Sequence, residues 1–94
     1  MFEFLFGRMV ISKAGHDKGK VFVILKSHSE YIYLMDGIYR TLDKPKKKNI
    51  KHVQPIYYVD ENLQNKIDNK QTIINEDIKR AIKIYYKTIS NCKG

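Results

Sequence analysis

The sequence predicts a mainly β fold with C-terminal α structure: a small five-stranded barrel over residues 1–58, then a helical extension over 59–94 made of one short and one longer helix. Three observations lead there. Five short runs rich in β-branched and aromatic residues lie within roughly 50 residues, with turn signals between them, as in small barrels. Composition turns polar after Tyr58. Finally, Ile78, Ala81, Ile82, Tyr85, Tyr86 and Ile89 recur at the spacing of one helix face.

The first two strands are expected in RMVISK (8–13) and KVFVILK (20–26), joined by a turn bracketed by Gly15 and Gly19. EYIYLM (30–35) and IYRTL (38–42) flank Asp36-Gly37, a dipeptide that signals a two-residue hairpin because both central positions need positive φ. IKHVQPI (50–56) supplies a fifth strand, in which Pro55, lacking an amide donor, marks an end or an edge. Phe2, Phe4 and Phe6, at strand spacing, are expected to cover an open end of the barrel. Further on, Asp60 opens a short helix carrying Leu63 and Ile67. Asn75 is the expected N-cap of the longer helix, with Glu76 and Asp77 at its positive end and Lys87 near its negative end. A core of about 60 residues is marginal alone, so the apolar stripe is expected to pack on the barrel. The alternative is a partner-docking helix, whose face Ala81 and Tyr86 would widen.

Charge gives the first functional clue. The chain carries 18 Lys+Arg against 10 Asp+Glu, a net charge of +8 in 94 residues. Residues 1–59 hold eleven of the basic and five of the acidic residues, so the excess sits in the β-rich part. Such a bias points to nucleic acid or another anionic surface. Cys92 is the single cysteine, which excludes an internal disulfide and a cysteine metal cluster and fits a reducing compartment. The apolar start, MFEFLFGRMVI, lacks a basic leading region and is broken by Gly7 and Arg8. Neither a signal peptide nor a membrane span is expected, and the location expected is cytoplasmic.

Catalytic patterns are weak. A nucleotide-binding P-loop needs four residues between its glycines and a hydroxyl residue after its lysine. Here three residues separate Gly15 from Gly19, and Val21 follows Lys20. His16, His28 and His52 are too widely spaced for a short metal-ligand pair. Asp17 with Lys18 reads as a charge pair at a turn tip. The expectation is a protein with no catalytic residue, metal or cofactor.

GRMVISKAGHDKGKVFVIL (7–25) resembles the KOW motif, in which a basic strand enters a glycine-centred turn and a Val/Ile-rich strand follows. Gly15 and Gly19 stand at the turn, with Val10, Val21, Val23 and Ile24 at strand positions. YLMDG (33–37) corresponds to the second hairpin of such domains, and RTLDKPKKKNIKHVQ continues the likeness toward the ribosomal-protein-like branch. That branch holds small bacterial KOW proteins similar to the large-subunit ribosomal protein of the fourteen-e type. The resemblance covers roughly residues 5–55 and implies an SH3-like barrel that binds RNA, ribosomal RNA or the ribosome being the expected partner.

The residue reading agrees. Arg8, Lys13, Lys18 and Lys20 are expected to cluster around the turn tip, with His16 as a further donor, and the glycines to leave backbone amides for phosphate oxygens. Lys44, Lys46, Lys47, Lys48 and Lys51 form the densest basic run, expected as an extended loop stiffened by Pro45. Five phosphate contacts there would give a log–log salt slope of roughly −3.5 to −4.5. Arg40 is a candidate phosphate contact. Tyr31 and Tyr33 share one strand face, opposite Ile32 and Leu34, and packing is the expected role of most of the tyrosines over base stacking. The alternatives are a protein-interaction module with the last helix as docking element, or a DNA-binding transcription or chromatin accessory on the same barrel.

Overall fold

The computed structural model describes residues 2–91, so Cys92 lies outside the described residues. The five-stranded expectation holds in number, and the sheet is antiparallel throughout. Its strands are β1 (Met9–Ser12), β2 (Val21–His28), β3 (Tyr31–Met35), β4 (Lys46–Asn49) and β5 (Val53–Ile56), followed by α1 (Glu61–Asp68) and α2 (Asn75–Asn91). The spatial order is β4-β3-β2-β1-β5. β4 and β5 are therefore the two edges of an open sheet, joined in sequence by the 3-10 turn Ile50–His52. Pro55 lies in β5, an edge strand, where its missing amide is tolerated.

Alternation along the strands sends residues to two cores. Val10, Phe22, Ile24, Ile32, Leu34 and Val53 bury on the inner face, with Phe2, Phe4 and Ile50 packed against them. Met9, Val21, Val23, Met35 and Ile56 bury on the outer face, where Leu63 of α1 and Ile78, Ala81 and Ile82 of α2 cover them. Sheet and helices thus share this core: Ile78, Ala81 and Ile82 of the apolar stripe are buried in it and Tyr85 packs against it, whereas Tyr86 and Ile89 stay exposed. Each buried aliphatic side chain stabilises the fold by about 1.5–3 kcal/mol before entropy is counted. Of the three N-terminal phenylalanines, Phe2 and Phe4 serve the inner core, whereas Phe6 goes to the helix side.

The helix starts follow local chemistry. Asp60 caps α1 by accepting the Leu63 amide at 2.9 Å. Asn75 does something other than the expected capping: it is the first helical residue, and its Oδ1 accepts the Leu42 amide at 2.9 Å. The Lys66 ammonium, 2.8 Å from Asp77 Oδ1, ties α1 to α2. Burial disfavours the Asp77 carboxylate, but Lys66 and the Ile74 amide outweigh that and hold its pKa below the usual carboxylate range.

Two elements differ from expectation. IYRTL (38–42) is not a strand. Asp36 Oδ1 accepts the amides of Ile38, Tyr39 and Arg40 at 2.8–2.9 Å, which wraps the chain around one carboxylate instead of extending it. Gly37 alone of the Asp36-Gly37 pair has positive φ, at +82°, so the two-residue hairpin does not form there. The tight connection is Ser29–Glu30, between β2 and β3, with Ser29 at φ +56°. The missing strand is β4, which lies inside the lysine run expected as a loop. Its register sets Lys48 opposite Ile32 and Lys46 opposite Leu34, so two aliphatic lysine stems extend the inner apolar face.

Candidate nucleic-acid interface

The glycine-bracketed turn is a closed unit. Ser12 and Lys20 pair at its base, where the Ser12 amide donates to the Lys20 carbonyl at 3.0 Å. Gly15 and Gly19 have φ of +84° and +88°, and a Cβ on Gly19 would meet open space, so its requirement is purely conformational. The amides of Lys18, Gly19 and Lys20 donate to Gly15, Ser12 and Asp17 carbonyls, respectively. Contrary to expectation, those three amides are occupied inside the turn, and its cationic side chains are what it offers a phosphate.

Asp17 is the centre of this region. It is buried, and its partners are Lys46 and Lys48 of β4 rather than Lys18 beside it, which corrects the turn-tip pairing. Lys48 Nζ lies 2.8 Å from Asp17 Oδ1 and 2.9 Å from the Ala14 carbonyl, and the Ser12 hydroxyl donates to Oδ1 at 2.6 Å. Lys46 bonds the other carboxylate oxygen. Burial alone would raise the carboxyl pKa. The hydrogen bonds from Lys46, Lys48 and Ser12 dominate and hold it well below the usual carboxylate range. Two ammoniums share one carboxylate, so the cluster keeps a unit of positive charge at its more exposed member, Lys46.

Beside this cluster the turn, β4 and the 36–40 loop frame a cleft of about 230 Å³. His16, Lys20, Arg40 and Lys46, four of the eleven predicted contact residues, line it together with Tyr39 and Phe22. Lys20 Nζ sits 5.8 Å from the centre of the exposed Tyr39 ring, a cation–π arrangement. Asp36 also lines the cleft, where its Oδ1 is engaged by three amides.

The other predicted contacts are dispersed. Arg8 and Lys13 flank opposite ends of β1, about 16 Å apart at strand rise, so Arg8 does not belong to the tip. The Lys13 amide bonds the His52 carbonyl, which sets Lys13 near the exposed Lys51 of the 3-10 turn. Lys18 and Lys44 are exposed on their turns. Lys48 is buried on Asp17, a structural position rather than a free cation. Lys47, one residue away, is exposed on the opposite face, 4.4 Å from the centre of the Tyr31 ring.

That outer face contains a feature missed in the sequence. A register shift between Ile24 and Lys26 brings Lys26 opposite Tyr33 and His28 opposite Tyr31. Lys26 Nζ lies 5.0 Å from the Tyr33 ring centre. Tyr31 and Tyr33 thus stand outside both cores, against the packing expectation, in a basic-aromatic strip with Lys26 and Lys47. The signal was the alternation of KSH (26–28) with YIY (31–33), legible only with the register known.

No family model matches the chain. An oleuropein beta-glucosidase from Olea europaea is 29% identical over 76 residues, a stretch that is 80% of this chain and 13% of that protein. The chain therefore spans a small fraction of the length of the curated relative it matches. Among the described residues, no group of three or more His, Cys, Asp or Glu could hold a metal ion, and no helix is long and apolar enough to cross a membrane.

Proposed function

We propose that this chain is a non-catalytic, cytoplasmic RNA-binding protein of KOW type, associated with the ribosome or its RNA. The observation that carries the reading is the convergence of His16, Lys20, Arg40 and Lys46 on one cleft beside the glycine-bracketed turn. Three cations and an imidazole around a cleft can engage successive phosphates, while exposed Tyr39 offers a ring for stacking. Lys13, Lys18, Lys44, Lys47 and Lys51 add weaker, longer-range attraction. The finer fold assignment, an SH3-like barrel, belongs to the same reading. The meander order, the apolar inner face and the single 3-10 turn between the edge strands support it.

A non-catalytic role is supported by the state of the two cleft carboxylates. Asp17 is clamped by two lysines and Asp36 by backbone amides, so both serve the framework. The decisive experiment measures binding of a structured ribosomal RNA fragment across a salt series, with co-sedimentation of ribosomal subunits at low salt. Lys20→Glu with Arg40→Glu should weaken binding at least tenfold and reduce the salt slope by roughly 1.4–1.8. Unchanged affinity and slope would reject the cleft. Equal affinity for duplex DNA of the same length would redirect the reading to a DNA-binding accessory.

A further inference from the structure

A second depression lies on the other side of Lys20 and Tyr39. It is a groove of about 750 Å³ between α2 and the 36–40 loop. Its walls are apolar: Val21 and Ile82 at the base, with Ile38, Tyr39 and Tyr86 exposed around them. The apolar stripe of α2 is covered at Ile78, Ala81 and Ile82 and in part at Tyr85, which packs against Tyr58, but Tyr86 and Ile89 are exposed at 44% and 41%. The facing wall is firmly placed. A Cβ on Gly37 would stand 2.6 Å from the Asn75 carbonyl oxygen and 2.7 Å from the Lys79 amide, so the loop lies directly on the first turn of α2. The Asn75–Leu42 hydrogen bond fastens its far end.

The charge around the groove is predominantly positive. Lys20, Lys79, Lys83 and Lys87 rim it, and the lone carboxylate, Asp36, is engaged by three amides. Val21, Ile38 and Ile82 offer no hydrogen bonds with which to read a base, and beside the rings of Tyr39 and Tyr86 they form a surface that suits leucine or phenylalanine side chains. We propose that this groove docks a short amphipathic segment of a protein partner, with apolar anchors on one face and flanking carboxylates that pair with the four rim lysines. The site goes beyond RNA binding. It shares Lys20 and Tyr39 with the cleft, so peptide and RNA meet at a common wall.

The test uses the full chain and a panel of fluorescein-labelled 12-residue peptides, each with leucine or phenylalanine in helical or strand spacing among glutamates. The same peptides with lysine for glutamate, and a uridine 12-mer, are run beside them. Saturable binding of an acidic member is expected, with amide shifts confined to Lys20, Val21, the 36–40 loop and α2. Ile38→Ser with Tyr86→Ala, both at exposed positions, should weaken it about tenfold or more, as loss of anchor contacts does. Lys83→Glu with Lys87→Glu should do the same and leave ribosomal RNA binding within twofold, which separates this site from the cleft. Three results overturn the proposal: no acidic peptide binds, the lysine peptides bind as well, or only the uridine oligomer shifts the groove. Loss of RNA binding by Lys20→Glu and Arg40→Glu with peptide binding kept through Lys79, Lys83 and Lys87 would leave the groove standing by itself.

Discussion

The two faces of β4 carry the same side chain in opposite circumstances. Lys48 lays its stem on the inner core and its ammonium on a buried carboxylate; Lys47, its neighbour, is exposed over Tyr31. Composition cannot separate them. A period of two does, because once KKKN is a strand, alternate lysines take opposite faces. The lesson is that a dense basic run is not automatically a binding patch. Part of it can be framework, and mutating the run as a block would mix folding with binding.

The sharpest way to break the comparison is to remove the inner carboxylate. Asp17→Ala leaves the buried Lys48 ammonium without its counter-ion and should destabilise the fold by about 3–5 kcal/mol in urea unfolding. A cost below 1 kcal/mol would mean that the inner cluster is not structural. Gly37→Ala comes next. With φ at +82° and backbone atoms within 2.7 Å of the added Cβ, it should cost about 2–3 kcal/mol and loosen the loop that separates cleft from groove. Gly19→Ala, which shares the positive φ but meets nothing, should cost only about 1 kcal/mol.

Acid offers a reversible probe. Asp17 is held below its unfolded pKa of about 3.9, so its contribution is fully present above that value and is lost as pH falls through the lower folded pKa. Wild-type stability should drop below about pH 4, and an Asp17→Asn variant, already weakened, should show a shallower fall. Parallel acid curves would remove Asp17 from the account. The smallest expected effect is on the outer face. Lys47→Ala should leave stability within about 0.5 kcal/mol and reduce the RNA salt slope by less than the roughly 0.7–0.9 of one direct phosphate contact.

Much of the frame was legible locally. β1, β2 and β3 were located to within two residues or so, as were Asp60 as a cap, Pro55 at an edge and the α2 stripe, because each depends on near neighbours. What escaped depends on distant partners. Asp17 looks like half of a surface pair until β4 arrives from 29 and 31 residues away with Lys46 and Lys48. Tyr31 and Tyr33 look like core until the helices cover the other end of the sheet. The fourth strand was misplaced because Asp36-Gly37 is a good turn signal whose carboxylate here serves a longer loop. Of the predicted contacts, the four that converge are brought together by tertiary structure from positions 16 to 46, a meeting no spacing rule contains.

The edge strands have a consequence for how copies of the chain behave at high concentration. β4 ends the sheet with three successive lysines, and β5 ends it with a residue that has no amide to give. A second molecule that tried to extend the ladder would set like charges against each other at one margin and lose a rung at the other, which disfavours fibrillar stacking. The same lysines that divide between framework and surface thus also keep neighbouring molecules from zipping together.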